Sequence, residues 1–183
     1  MKNVKRLSVF VLAITLFTGF NSIAQTKMVG GAKMYASKNI VENAVNSKDH
    51  TTLVAAVKAA DLVKTLQGEG PFTVFAPTNA AFDKLPKGRV DQLLMKENKA
   101  KLQAVLTYHV VAGKWSAKDL MKMIKKDGGK SKIKTVNGET LTAWMDGKSV
   151  QISDNNGNTA MVTIANVMQS NGVIHVIDTV LLP

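Results

Sequence analysis

Two prolines bracket the stretch that most limits how this chain can fold. Between Pro71 and Pro86 runs PFTVFAPTNAAFDKLP. Phe72, Thr73, Val74 and Phe75 are aromatic or β-branched, the residue types that suit a pleated strand. Pro77 has no N–H for a ladder, so the strand is expected to end by Ala76. Thr78 or Asn79 can cap the free N–H groups of a following helix. Ala80, Ala81, Phe82 and Leu85 then fit a turn and a half of helix, which Pro86 closes. The stretch holds no cysteine, no histidine and no nucleophile–base pair, so it reads as a structural corner.

Around this corner the chain changes style. Upstream, Ile40, Val41, Ala44 and Val45 have helical spacing. Caps at Asp49 to Thr52 precede a second helical face of Leu53, Val54, Val57 and Ala60, and a turn near Asp61 leads to Leu62, Val63 and Leu66. Downstream, Val90, Leu93 and Leu94 fit a short helix, and Leu102, Val105 and Leu106 a longer one from near Glu97. Thr107 to Val111, TYHVV, has strand character. Ser116 to Asp119 matches a capping box and opens a helix through Ile124, stopped by Gly128-Gly129. From Ile133 onward, strand-like runs alternate with Asn137-Gly138, Asp146-Gly147, Asn155-Asn156-Gly157 and Asn171-Gly172. Such pairs supply the positive φ angles of tight hairpins, so the last third is a β-meander. Helices first and strands later make one α+β domain. The Phe72 strand, alone among helices, is expected to pair with the distant meander.

The ends and the charge bound the setting. Lys2, Lys5 and Arg6, the 14-residue apolar run Leu7–Phe20 and the small-residue site at Ser22-Ile23-Ala24 read as a signal peptide over residues 1–24. Gln25 is then the mature start, and no membrane span remains after signal removal. Residues 25–37, with Gly30 and Gly31, read as a flexible, weakly ordered leader. Removing the three basic residues of the segment leaves 21 Lys+Arg against 13 acids, a net charge of +8. Such a surface attracts anionic polymers, and export disfavours nucleic acid. The chain has no cysteine, which removes disulfides and thiolate chemistry and fits a bacterial periplasm or exterior.

Three pieces in order resemble the fasciclin (FAS1) domain family: TVFAPTNAAF at 73–82, the Tyr108-His109 pair in LTYHVVAGK, and NGVIHVIDTVLLP at 171–183. The likeness extends over residues 38–183. Asp61 stands where a glycine is common, and Ala80 where an acidic residue is often seen. The resemblance implies a β-sandwich or wedge with helices packed along one edge. It makes Thr73, Phe75, Pro77, Thr78, Asn79, Phe82, Tyr108, His109, Gly172, His175 and Asp178 signature residues with a structural role. It also implies secreted adhesion or extracellular binding rather than catalysis, with no cofactor. Related algal proteins bind carotenoids, so a carrier of an apolar ligand is the alternative.

The residues themselves offer few chemical groups. His109 and His175 are embedded in apolar sequence. They are either a metal or acid–base pair, or buried imidazoles that hydrogen-bond backbone groups, and the resemblance favours the second. His50 precedes a helix and is expected to assist its start. Asp178 is either a base or an acid held by backbone donors. Catalytic and metal residues are therefore assigned to none. Met121 and Met123 could hold Cu(I) weakly, but residues two apart on a helix face apart, and methionine also fills cores. Lys122, Lys125, Lys126, Lys130, Lys132 and Lys134 form the densest basic stretch. It is the candidate patch for an extracellular or envelope macromolecule such as an anionic polysaccharide, and a solvated helix end is the ordinary alternative. Trp115 and Trp144 could stack on sugar rings if exposed, or fill the core.

Overall fold

A computed structural model describes residues 26–183. The segment 1–24 read as a signal peptide lies outside these residues. In chain order the elements are β1 (Lys27–Val29), β2 (Ala32–Met34), α1 (Ile40–Ala44), α2 (Thr51–Ala59), α3 (Val63–Gln67), β3 (Phe72–Pro77), α4 (Asn79–Asp83), α5 (Arg89–Leu94), α6 (Lys99–Tyr108) and β4 (Val110–Ala112). Then follow α7 (Ala117–Lys126), β5 (Lys130–Lys134), β6 (Thr140–Asp146), β7 (Ser149–Ser153), β8 (Thr159–Gln169) and β9 (Gly172–Ile177).

Seven strands form one mixed sheet in the order β4-β3-β9-β8-β7-β6-β5. The five C-terminal strands make the antiparallel meander that the Asn-Gly and Asp-Gly turns predict. β3 joins it from far away in sequence, parallel to β9, with Phe72 opposite Gly172 and Pro77 opposite Ile177. The strand thus runs one residue past its expected end at Ala76. Pro77 is its last residue, where a missing N–H is tolerated. The next N–H, that of Thr78, donates to the Ile177 carbonyl at 3.2 Å.

β8 is the hinge of the sheet. Its first residues pair with β7 and its later ones with β9, with register irregularities between Val162 and Val167. Bulges bend a strand and increase its twist, so the two halves of the sheet close on each other as a wedge. The Val136 N–H donates to the Val110 carbonyl at 2.7 Å and ties the chain just beyond β5 to β4, which brings the sheet close to a barrel.

Alternation along β3 and β9 explains the two cores. Val74, Ala76, Ile174 and Val176 face a cluster shared with the helices α1 to α6. Phe75 and Ile177 face a second cluster inside the wedge, closed by Leu120 and Ile124 of α7. Both strands are therefore buried on both faces, as parallel strands are. Burying Phe75 completely contributes roughly 2–3 kcal/mol.

Two expectations need correction. Residues 27–34 are a β-hairpin and not a weakly ordered leader: Val29 and Met34 are buried in the helical core, and the Gly30 carbonyl accepts from the Lys48 N–H at 3.0 Å. The packed unit therefore begins before residue 38. TYHVV is not a strand throughout, because α6 continues to Tyr108 and His109 caps its end. The β-branched residues there pull toward a strand, but helix packing holds the first of them and only Val110–Ala112 pairs with β3.

Candidate functional site

The corner at 71–86 is held by its own polar residues. The Thr73 hydroxyl donates to the Gly113 carbonyl at 2.7 Å and accepts from the Trp115 N–H at 2.9 Å. It therefore clamps the β4–α7 loop onto β3. Thr78 is the N-cap of α4, accepting from the Ala81 N–H at 3.2 Å. Asn79 turns the other way: its side chain accepts from the Thr52 N–H at 3.0 Å and donates to the Lys48 carbonyl at 2.9 Å. That bond, rather than His50, secures the start of α2. His50 makes no capping bond there, because its Nδ1 faces Ser47 Oγ at 2.9 Å. Its buried Nε2 makes no hydrogen bond. Burial pushes the His50 imidazole below its ordinary range, against the Ala76 carbonyl and the Asp49 carboxylate.

The other two histidines are tied into the backbone at both nitrogens. His109 Nε2 accepts from the Leu181 N–H at 3.1 Å, so Nδ1 carries the proton and donates to the Val105 carbonyl at 2.8 Å. This neutral tautomer links the last turn of α6 to the C-terminal tail. Complete burial outweighs the Val105 carbonyl and Asp154, and lowers the imidazole to about 4. His175 has the opposite tautomer. Its Nδ1 accepts from the Asn166 N–H at 3.4 Å and its Nε2 donates to the Trp115 carbonyl at 2.9 Å. Burial lowers it as well, against the Trp115 carbonyl. Neither imidazole keeps a free nitrogen for a metal or for proton transfer. Tyr108 is buried beside His109, and its hydroxyl donates to the Thr140 carbonyl at 3.1 Å. Among the described residues, no group of three or more His, Cys, Asp or Glu could hold a metal ion.

The closing signature works as a seam. A side chain at Gly172 would collide with the Phe72 carbonyl, so the β3–β9 approach requires glycine. Asp178 accepts from the Met161 N–H at 2.8 Å and pairs with Lys84 at 3.3 Å. Partial burial opposes its charge, but the Met161, Lys84 and Thr179 donors prevail and hold the carboxyl below the usual range.

Sequence reasoning missed the side-chain amides that join layers. Asn166, in the left-handed conformation at the β8 bulge, accepts from the Ala117 N–H at 2.7 Å and anchors the start of α7. Asn171 accepts from Ile40 N–H and donates to the Leu66 and Gly68 carbonyls, which joins α1 and α3 to the β8–β9 turn. The available signal was the residue type alone, since Asn visits the left-handed region more readily than most. Asp61, where the resemblance expects glycine, also has a positive φ of 57°.

The lysine stretch does not form one patch. α7 packs on the inner side of the β5–β6 half of the sheet through Leu120 and Ile124. Lys122, Lys125 and Lys126 lie on its exposed side. In β5, Ser131 and Ile133 are buried toward α7, so Lys130, Lys132 and Lys134 project from the opposite side of the sheet. Trp115 is pinned at its N–H, its carbonyl and its indole N–H, whereas Trp144 is half-buried on the outer face beneath Lys130, whose Nζ lies 5.7 Å from its ring centre.

Two further sites were open to the alternatives. The cavity between the helices and β3 is lined by apolar side chains such as Leu53, Val57 and Ile174 and holds about 90 Å³. Pockets that enclose a drug-sized molecule run roughly 300–1,000 Å³, so this one is too small for a polyene chain. Met121 is exposed on α7 while Met123 packs against the second core, so the two thioethers do not converge.

The wedge of a near-closed mixed sheet, the capped corner and the backbone-tied histidines define one α+β fold. Residues 48–183 match the Fasciclin domain family, and the chain belongs to that family. It is 42% identical over 191 residues to protein sll1483 of Synechocystis, covering all of this chain and 99% of that protein. It is 38% identical over 145 residues to the immunogenic protein MPB70 of Mycobacterium bovis, covering 76% of this chain and 66% of that one. The structure resembles that of a FAS1 domain pair from the insect cell adhesion molecule fasciclin I, with a TM-score of 0.70 and 20% identity. That likeness covers 80% of this chain and 51% of the other, and concerns the fold. No helix among the described residues is long and apolar enough to cross a membrane.

Proposed function

We propose that the protein is a secreted, non-enzymatic module that attaches to an extracellular or envelope macromolecule. The observation that carries this reading is the fasciclin family match over residues 48–183, because adhesion is the role the family resemblance implies. The buried chemistry supports it: the imidazoles of His109 and His175 are spent on backbone groups, and the lysines project outward. The mechanism is contact formation on a rigid scaffold. Residues 1–24 direct export, and the mature chain from Gln25 works in the periplasm or outside the cell.

Deletion of the protein from its native cell tests the reading. Surface attachment or cell aggregation is expected to fall, and to return when the full chain is supplied again. Unchanged attachment, with the protein shown to be present in the wild type, would refute adhesion. Mass analysis of the exported chain should find a mature start at Gln25. Retention of the whole chain in the cytoplasm would refute secretion.

A further inference from the structure

The hydrogen-bond register of β5, β6 and β7 sets their outward side chains in rows. Lys130 lies opposite Trp144, and Trp144 opposite Gln151. In the next row Lys132 lies opposite Thr142, and Thr142 opposite Ser153. The residues between them, Ser131, Ile133, Leu141, Ala143, Val150 and Ile152, are buried, so the outward set is fixed by alternation. Neighbouring strands stand about 4.8 Å apart and alternate residues about 6.8 Å apart, so the two rows make a regular grid.

The chemistry of the grid is mixed in a specific way. One indole plate lies half-exposed with an ammonium group above it. Beside it stand one amide and two hydroxyls, all partly exposed. Lys134 extends the line of positive charge along the edge strand. The acid on the same side of β6 is Asp146, at the hairpin end next to the Lys148 turn. Neither row contains a carboxylate.

We propose that this outer face of β5–β7 is a binding site for an anionic polysaccharide. The Lys130 ammonium swings off the indole to meet an acid group, and Trp144 then stacks against the apolar face of the sugar ring, as aromatic plates with one wet side can do. Gln151, Thr142 and Ser153 exchange hydrogen bonds with ring hydroxyls. Lys130 and Lys132 meet the acid groups, and positive potential along the strand raises the rate of encounter. The proposal rests on the reading of the protein as an extracellular binding module and names the surface and the class of partner. Lysines on an edge strand also guard against strand-to-strand aggregation. That role needs neither the tryptophan nor the amide, so the two can be separated.

The test uses the mature chain with alginate as the carboxylated polymer and heparin as the sulfated one. Neutral dextran and a thymidine oligonucleotide serve as controls, and binding is followed by biolayer interferometry at rising NaCl. The expected result is retention of alginate, heparin or both, no retention of dextran, and weakening as salt screens the charges. The K130Q/K132Q variant should lose about tenfold in affinity or more. The K122Q/K125Q variant makes the same change in net charge on α7 and should stay within about twofold. W144L, with folding checked by circular dichroism, should weaken binding, and Q151A does so without disturbing a buried side chain. Equal losses from the two lysine pairs, or full affinity in both folded W144L and Q151A, would overturn the site. So would equal capture of the oligonucleotide. If neither polymer binds while deletion still reduces cell attachment, the polysaccharide site fails and the adhesion reading stands.

Discussion

Acid should weaken this fold through His109 before its carboxylates contribute. The imidazole is completely buried, with its proton on Nδ1 and its other nitrogen accepting from Leu181. Burial lowers it to about 4 from the ordinary 6.5. Between these two values the unfolded chain takes up a proton that the folded chain refuses. Stability is therefore full above pH 6.5 and falls as pH drops toward 4. At pH 4.5 the loss from this residue is about 2.5 kcal/mol, at about 1.4 kcal/mol per unit. His175 and His50 are also lowered by burial and act in the same direction. Asp61 is held low by Lys99, Asp119 by the Ser116 hydroxyl, and Asp178 by the donors that outweigh its partial burial. Their stabilisation is present above the ordinary 3.8 and is lost only below it, so a series ending at pH 4.5 leaves them out. The assay is urea unfolding followed by tryptophan fluorescence from pH 7.5 to 4.5. H109Q should be less stable at pH 7.5 by about 2 kcal/mol, since Val105 and Leu181 no longer share one rigid partner. Its stability should also vary with pH by about 2.5 kcal/mol less than the wild type over the series. An H109Q variant with the wild-type pH dependence would refute the burial argument.

Other perturbations probe the seams. T73V removes the bonds to Gly113 and Trp115 and should cost about 2 kcal/mol, or roughly 6 °C in melting temperature, read by thermal denaturation. An unchanged melting temperature would show that the clamp is idle. G172A places a side chain against the Phe72 carbonyl and should cost more than about 3 kcal/mol, seen as loss of soluble folded protein or early unfolding. S116A breaks the capping box of α7 and should cost about 1 kcal/mol in urea titration.

Local chemistry was legible in the chain, and so was the order of its elements. Pro71–Pro86 announced a strand, a cap and a short helix because each step rests on a residue with few conformational choices. The capping box at Ser116 and the Asn-Gly turns of the meander were readable for the same reason. What depends on long-range packing was not. TYHVV carries strand-forming residues, yet Tyr108 is drawn into α6 by burial against the wedge. Gly30-Gly31 suggested a loose leader, but the glycines form a hairpin turn whose Val29 and Met34 reach the core. Pairing of the Phe72 strand with the meander followed from its isolation, while its parallel direction and its partner β9 did not. The lysine run looks continuous in the chain because sequence distance does not record sheet faces. Gly128-Gly129 turns it from α7 into β5, and alternation sends its two halves to opposite sides.

On the proposed function, the signature residues build the scaffold while contact is made at the surface. Binding of the mature chain to purified matrix and envelope fractions separates the two roles, with wild type and H109Q compared at a temperature where both are folded. Equal binding is expected from two proteins of unequal stability. A folded, stable H109Q protein that no longer binds would place function at the buried histidine and contradict that expectation.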